Sequence, residues 1–180
     1  MINNRVTIAL ALTISLAMCH PAILKRAVTN ETCFSPEPAE ITSYHIHLLY
    51  WQKSNQSTTG AYQIRDKFRE AFKTNLGADC HDLFENDFNC LLDPDYEPAG
   101  PFPVAEWSVY VLPGNLEPMQ RWFAQHRGDY TVLVHPNSGC EIEDHGIWAG
   151  WFGQSYPLDF SIFSHDTPFP WNDESKAFHM

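Results

Sequence analysis

Apolar positions fall into distinct patterns along this chain, and each pattern predicts an element. Residues 44–51, Tyr-His-Ile-His-Leu-Leu-Tyr-Trp, form a nearly unbroken apolar and aromatic run of the length of a buried strand. After a polar connection over residues 54–60, Ala61, Ile64, Phe68, Ala71 and Phe72 recur at spacings of three and four among Arg, Asp, Lys and Glu. That spacing predicts an amphipathic helix, with Gly77 beyond it as a stop signal. Leu83-Phe84 and residues 88–92 give a ragged strand broken by Asp and Asn, and residues 94–103, with four prolines, form an irregular loop. Residues 104–112, rich in β-branched and aromatic side chains and closed by Pro113-Gly114, are a clear strand. Leu116, Met119, Trp122 and Phe123 mark a second helix, with Asn115 as its cap and His126, Arg127 and Gly128 supplying cation and stop. A strand over residues 130–135 follows, ending at His135.

Strand, helix, strand, strand, helix, strand is the order of a ferredoxin-like α+β sandwich, a βαββαβ fold whose antiparallel sheet carries its helices on one face. The other face is then free, and the strand ending at His135 lies at an outer position. The glycine-punctuated aromatic run over residues 147–153 adds a candidate extra strand lining a pocket. This domain spans 41–163, after a Pro-, Ser- and Glu-containing tether over 20–40 and before a Pro-rich polar tail over 164–180.

Composition changes the picture mainly at the N-terminus. Asn3-Asn4-Arg5 precedes an uncharged apolar run too short for a comfortable membrane span, so residues 1–19 read as a signal peptide and the mature protein as secreted, with no membrane anchor. A net charge of −11 argues against nucleic acid as a partner. Cleavage leaves Cys33, Cys80, Cys90 and Cys140, which allow three pairings in an oxidising compartment. Asn30 and Asn55 begin matches to the N-glycosylation acceptor pattern.

Candidate chemistry centres on histidine. Successive side chains of a strand alternate faces, so His45 and His47 point the same way, roughly 7 Å apart along the backbone. That suits two ligands of one metal ion. His135, at a strand end beside Pro136, and His145, after a turn-rich segment, could bring four imidazoles together. No cysteine pair stands at structural-zinc spacing. An open site of two or three imidazoles, completed by Glu106, Glu141, Glu143 or Asp144, is the layout of a non-haem iron(II) oxygenase. His126 reads as a helix-end cation; His81 and His165 lie in loops, His20 at the cleavage region and His179 in the tail. The aromatic run from Trp148 to Phe152 is either core or a stacking surface for a planar substrate.

Three stretches carry a family resemblance: YHIHLLYW at residues 44–51, QHRGDYTVLVHPNSG at 125–139 and EDHGIWAGWFG at 143–153. Together and in this order they resemble the DOPA 4,5-dioxygenase family, ferredoxin-like extradiol ring-cleaving enzymes. The resemblance implies cleavage of DOPA or a related catechol by O₂ at a histidine-bound Fe(II). On the matching positions it implies His45, His47 and His135 as metal ligands and His145 as proton shuttle or fourth ligand. Arg127, with acidic residues near Asp144, would hold the substrate's amino-acid end, and Trp148 would stack on its ring. One departure stands out: many family members carry a histidine where this chain has Phe102, in Gly100-Pro101-Phe102-Pro103. A second reading is therefore a secreted metal- or catechol-binding module on the same fold without turnover. A third is a structural extracellular domain with incidental histidines. An exposed outer strand or the aromatic segment could pair with a second subunit as a homodimer.

Overall fold

The structure is a computed structural model and describes residue 33 and residues 40–163. The expected signal peptide at 1–19, the tether at 20–40 apart from residues 33 and 40, and the tail at 164–180 lie outside the described residues. The elements in order are β1 (Ser43–Tyr50), α1 (Asn55–Ala71), β2 (Cys90–Leu91), β3 (Ala105–Val111), α2 (Leu116–His126), β4 (Thr131–Asn137), α3 (Glu141–His145) and β5 (Gly150–Phe152). Short 3₁₀ turns stand at Pro113–Asn115 and Phe160–Ile162. The five strands form one sheet in the order β2-β3-β1-β4-β5, every pair antiparallel. This is the ferredoxin-like α+β arrangement with one strand added at the β4 edge.

Register decides which residues share a face. His45 stands opposite Tyr110 on one side and His135 on the other; Ile46 stands opposite Val109 and Val134. Ile46, Leu48, Trp107, Val109, Val111, Val132 and Val134 therefore lie on the face that meets the helices. There they pack with Ala61, Ile64 and Phe68 of α1 and with Met119 and Phe123 of α2. Phe68 stacks on Phe123, and the buried Trp107 indole donates to the Ala61 carbonyl at 3.0 Å, so its one polar atom is satisfied. Each such apolar side chain contributes roughly 1.5–3 kcal/mol on burial.

The structure corrects several sequence expectations. Helix α1 begins at Asn55, so most of the supposed connection at 54–60 is helical. Ser54 caps it by accepting from the Ser57 N–H, and these polar turns carry no apolar periodicity because they are largely exposed. Asn115 does precede α2, but its side chain makes no capping hydrogen bond. The ragged strand at 83–92 reduces to Cys90–Leu91, and Leu83 and Phe84 belong to an irregular loop closed by the Cys80–Cys90 disulfide. Strand β4 is interior, since β5 pairs with its Val132, Leu133 and Val134. Proline at 136 is tolerated there because β5 pairs no further than Val134.

The expected free face is covered. Leu49, Leu133, Phe102 and Val104 form a second apolar cluster there, with Ala149, Trp151, Tyr156 and Leu158 packed against it. The short helix α3 lies on this side too, since His145 meets the rings of His47 and His135. Among the described residues, no helix is long and apolar enough to cross a membrane.

Candidate metal centre

Beside Leu49 and Leu133 and on from them along the covered face, the side chains become polar: Ser43, His45, His47, Glu106, Ser108, His135 and Asn137 are all buried. Strand alternation puts His45 and His47 on this face, and the β1–β4 register sets His135 directly opposite His45. The ring centroids of His45, His47 and His135 are 5.1–5.4 Å apart. One nitrogen from each lies within 4.8 Å of the others, a group that could hold a metal ion. His145 arrives from α3, its ring 3.9 Å from His135 and 6.5 Å from His47. His145, which follows a turn-rich segment in the sequence, sits in a short helix and is 7% exposed. Asp144 steadies that helix by accepting from the Ser138 N–H at 2.9 Å and the Ser138 hydroxyl at 2.8 Å.

Hydrogen bonds at the far side of each ring orient it. His135 Nδ1 is 2.8 Å from the Pro136 carbonyl and His145 Nδ1 is 2.9 Å from the Glu141 carbonyl. A carbonyl only accepts, so both rings carry their proton on Nδ1 and leave Nε2 with a lone pair. His45 is the reverse: its Nε2 lies 2.8 Å from the Leu83 carbonyl, which leaves Nδ1 unprotonated. His47 Nδ1 is 3.1 Å from Glu106 Oε2, and its Nε2 is 3.1 Å from His135 Nε2.

Electrostatics agree with that arrangement. Burial, with a smaller contribution from the charge His47 would carry, pushes His45 down to about 3. Burial alone accounts for His47, also down to about 3. His135 falls well below the ordinary histidine value through burial and its three imidazole neighbours, and His145 falls to about 4. Burial raises Glu106 to about 8, against hydrogen bonds from Asp95 and Ser108 that favour its charged form. Burial likewise raises Asp144 to about 7. Burial thus favours the uncharged imidazoles, the form in which histidine serves as a metal ligand.

The donor set fits a transition-metal ion. At bonds of roughly 2.05 Å, two nitrogens on one ion are about 2.9 Å apart at a right angle and about 3.3 Å at the tetrahedral angle. The 3.1 Å between the Nε2 atoms of His47 and His135 falls between these values. Imidazole serves iron, copper, nickel and zinc alike, so the donors set the class of ion and not its identity. Aromatic rings enclose the site: Phe102 lies 4.7 Å from His47 and 6.2 Å from His145, and Phe163 lies 5.0 Å from His145.

The other two sequence-predicted residues lie apart from this cluster. The Arg127 guanidinium donates to the Gly128 and Tyr130 carbonyls at 3.1 and 2.6 Å and lies against Gly153. Trp148 is 37% exposed, and its backbone N–H donates to the Glu143 carbonyl. Sequence reasoning named Glu106 as a direct ligand candidate; the structure places it behind His47. It missed the Leu83 carbonyl, which falls in a loop with no periodicity.

Comparison with known proteins places these features in a family. The model of the Dopa 4,5-dioxygenase family matches residues 44–162. The chain is 27% identical over 123 residues to a DOPA 4,5-dioxygenase of Amanita muscaria, covering 68% of this chain and 50% of that protein. It is 27% identical over 128 residues to an uncharacterized 21.2 kDa protein of Botryotinia fuckeliana, covering 67% and 62%. The chain thus spans about half the length of the first relative and under two thirds of the second. A candidate dioxygenase from Nostoc punctiforme, known from its crystal structure, shares the fold with a TM-score of 0.51 at 24% identity, over 66% of this chain and 87% of its own.

Proposed function

The chain belongs to the Dopa 4,5-dioxygenase family, and from that premise we propose that it is a secreted extradiol dioxygenase that opens DOPA or a related catechol with O₂. The observation that carries the reading is the buried pair of His47 and His135, whose Nε2 atoms face each other at 3.1 Å. His45, His47 and His135 would hold Fe(II), which supplies a route for electron density from the catechol ring to O₂. His145, with Nδ1 tied to the Glu141 carbonyl, keeps Nε2 free to take a proton from a catechol hydroxyl and return it later. Phe102 and Phe163 exclude water around the imidazoles and offer apolar surface to an aromatic ring. Trp148, three residues past His145, would stack on a ring entering there. Arg127 would have to release two carbonyls before it could bind a substrate carboxylate. The disulfides Cys33–Cys140 and Cys80–Cys90 accord with an oxidising compartment.

A second reading, a metal-binding module without turnover, is favoured by the same enclosure. All four imidazoles are buried, and Phe102 lies against His47. Anaerobic loading with Fe(II), followed by DOPA and O₂, separates the two. The dioxygenase gives the yellow absorbance of a ring-opened semialdehyde, and His47→Ala and His135→Ala abolish it. Stoichiometric metal binding with no colour from any simple catechol supports the module.

A further inference from the structure

Among the described residues, Glu106 is the one carboxyl group hydrogen-bonded to a ring nitrogen of the imidazole cluster, and its setting is built for that contact. Strand β3 places it on the imidazole face, because Ser108 is the partner of His47 and Glu106 the partner of Leu49. It is 4% exposed. An isolated bridge with Asp95 clamps its backbone in both directions, Asp95 N–H to Glu106 carbonyl at 3.0 Å and Glu106 N–H to Asp95 carbonyl at 3.3 Å. Its Oε2 meets Nδ1 of His47, on the edge of the ring away from the nitrogen that faces His135, so Glu106 does not share an ion with His135.

We propose that Glu106 is the positioning residue of the metal centre, accepting the Nδ1–H of His47 so that the Nε2 lone pair is aimed at the ion beside that of His135. The inference rests on the metal-binding part of the function proposed above. A nitrogen that would hold an ion could not also carry a proton, so with Nε2 as the ligand atom the remaining proton of His47 would sit on Nδ1. Glu106 is the acceptor that faces it. His45, His135 and His145 are hydrogen-bonded to backbone carbonyls, which no substitution at those acceptors removes, whereas the hydrogen bond that orients His47 is to a side chain and can be removed by substitution. Partners of this kind change metal affinity by about ten- to a hundredfold when removed.

The test compares the full mature chain with Glu106→Ala and Glu106→Gln. Competitive chelator titration with Zn(II) and Co(II) reads affinity, and nitrogen-15 imidazole spectra of the Zn(II)-loaded proteins read the His47 proton. Affinity should fall about tenfold or more in the alanine variant and severalfold in the glutamine variant. The wild-type spectrum should show a slowly exchanging Nδ1 proton that moves upfield in E106Q and is lost in E106A. Should E106A fail to fold, E106Q decides alone: unchanged affinity and an unmoved Nδ1 proton overturn the proposal. So does an E106A that folds and binds within twofold of wild type. A wild type that binds neither metal overturns the metal centre and this inference together, whereas tight wild-type binding untouched by either variant overturns this inference alone.

Discussion

Burial keeps four imidazoles neutral, and this sets how the metal-free protein responds to acid. Folded His45 and His47 lie at about 3 and His145 at about 4, against 6.5 for an unperturbed histidine. The unfolded chain takes up these protons as pH drops through 6.5, while the folded chain refuses them until about pH 3–4. The stability they contribute is thus complete above 6.5 and lost as pH falls through that window. Glu106, raised to about 8, and Asp144, raised to about 7, act oppositely: their contribution is complete at acid pH and lost as pH rises through those values. Burial raises Asp95 and Glu141 in the same sense but by less; the unfolded histidines take up their protons chiefly between about pH 7 and pH 5, so the Tm of the metal-free protein falls across that range, and thermal melts check it. At the same scale, Phe102→Ala removes a buried ring against His47 and Leu49's cluster and lowers stability by about 3 kcal/mol. Denaturant melts should show that loss, with Zn(II) affinity retained because Phe102 supplies no ligand. Single residues were legible where strand alternation applies, as for His45 and His47. The Glu106–His47 bond was not, because it depends on cross-strand register between segments 59 residues apart.

Elements were predicted well where periodicity is strong and poorly where a contact elsewhere decides. The core halves of α1 and α2 and strands β1, β3 and β4 announce themselves through spacing. The first turns of α1 do not, yet a tertiary contact depends on them: a Cβ at Gly60 would clash with the Tyr130 hydroxyl, which donates to the Ser57 carbonyl. Gly60→Ala should therefore destabilise by about 1–3 kcal/mol despite alanine's better helix propensity, as measured by urea unfolding. The disulfide pairing also lay beyond the sequence, which allowed three pairings. Cys33–Cys140 ties a residue near the N-terminus to the start of α3, across a separation of 107 residues, and Cys80–Cys90 closes the loop that brings the Leu83 carbonyl to His45. By chain entropy the first contributes about 4–5 kcal/mol and the second about 2–3. Cys33→Ser/Cys140→Ser should accordingly lower Tm more than Cys80→Ser/Cys90→Ser. The reverse order would show that Cys33 adds little to the folded domain.

For the whole molecule, one sheet serves two purposes. Its helix face builds the core around Trp107, Phe68 and Phe123, and its other face gathers four histidines under Phe102, Phe163 and the Leu83 loop. The sequence suggested the gathering but not the cover, because cover comes from irregular segments whose path no periodicity reveals. A dioxygenase reading requires this enclosed face to admit a catechol. The most direct measurement is single-turnover reaction of the anaerobically Fe(II)-loaded protein with DOPA under ¹⁸O₂, followed by mass spectrometry of the product. The account predicts a ring-opened product carrying both atoms of one O₂, formed by the wild type and by neither His47→Ala nor His135→Ala. Iron bound at one equivalent with the catechol returned intact would contradict it.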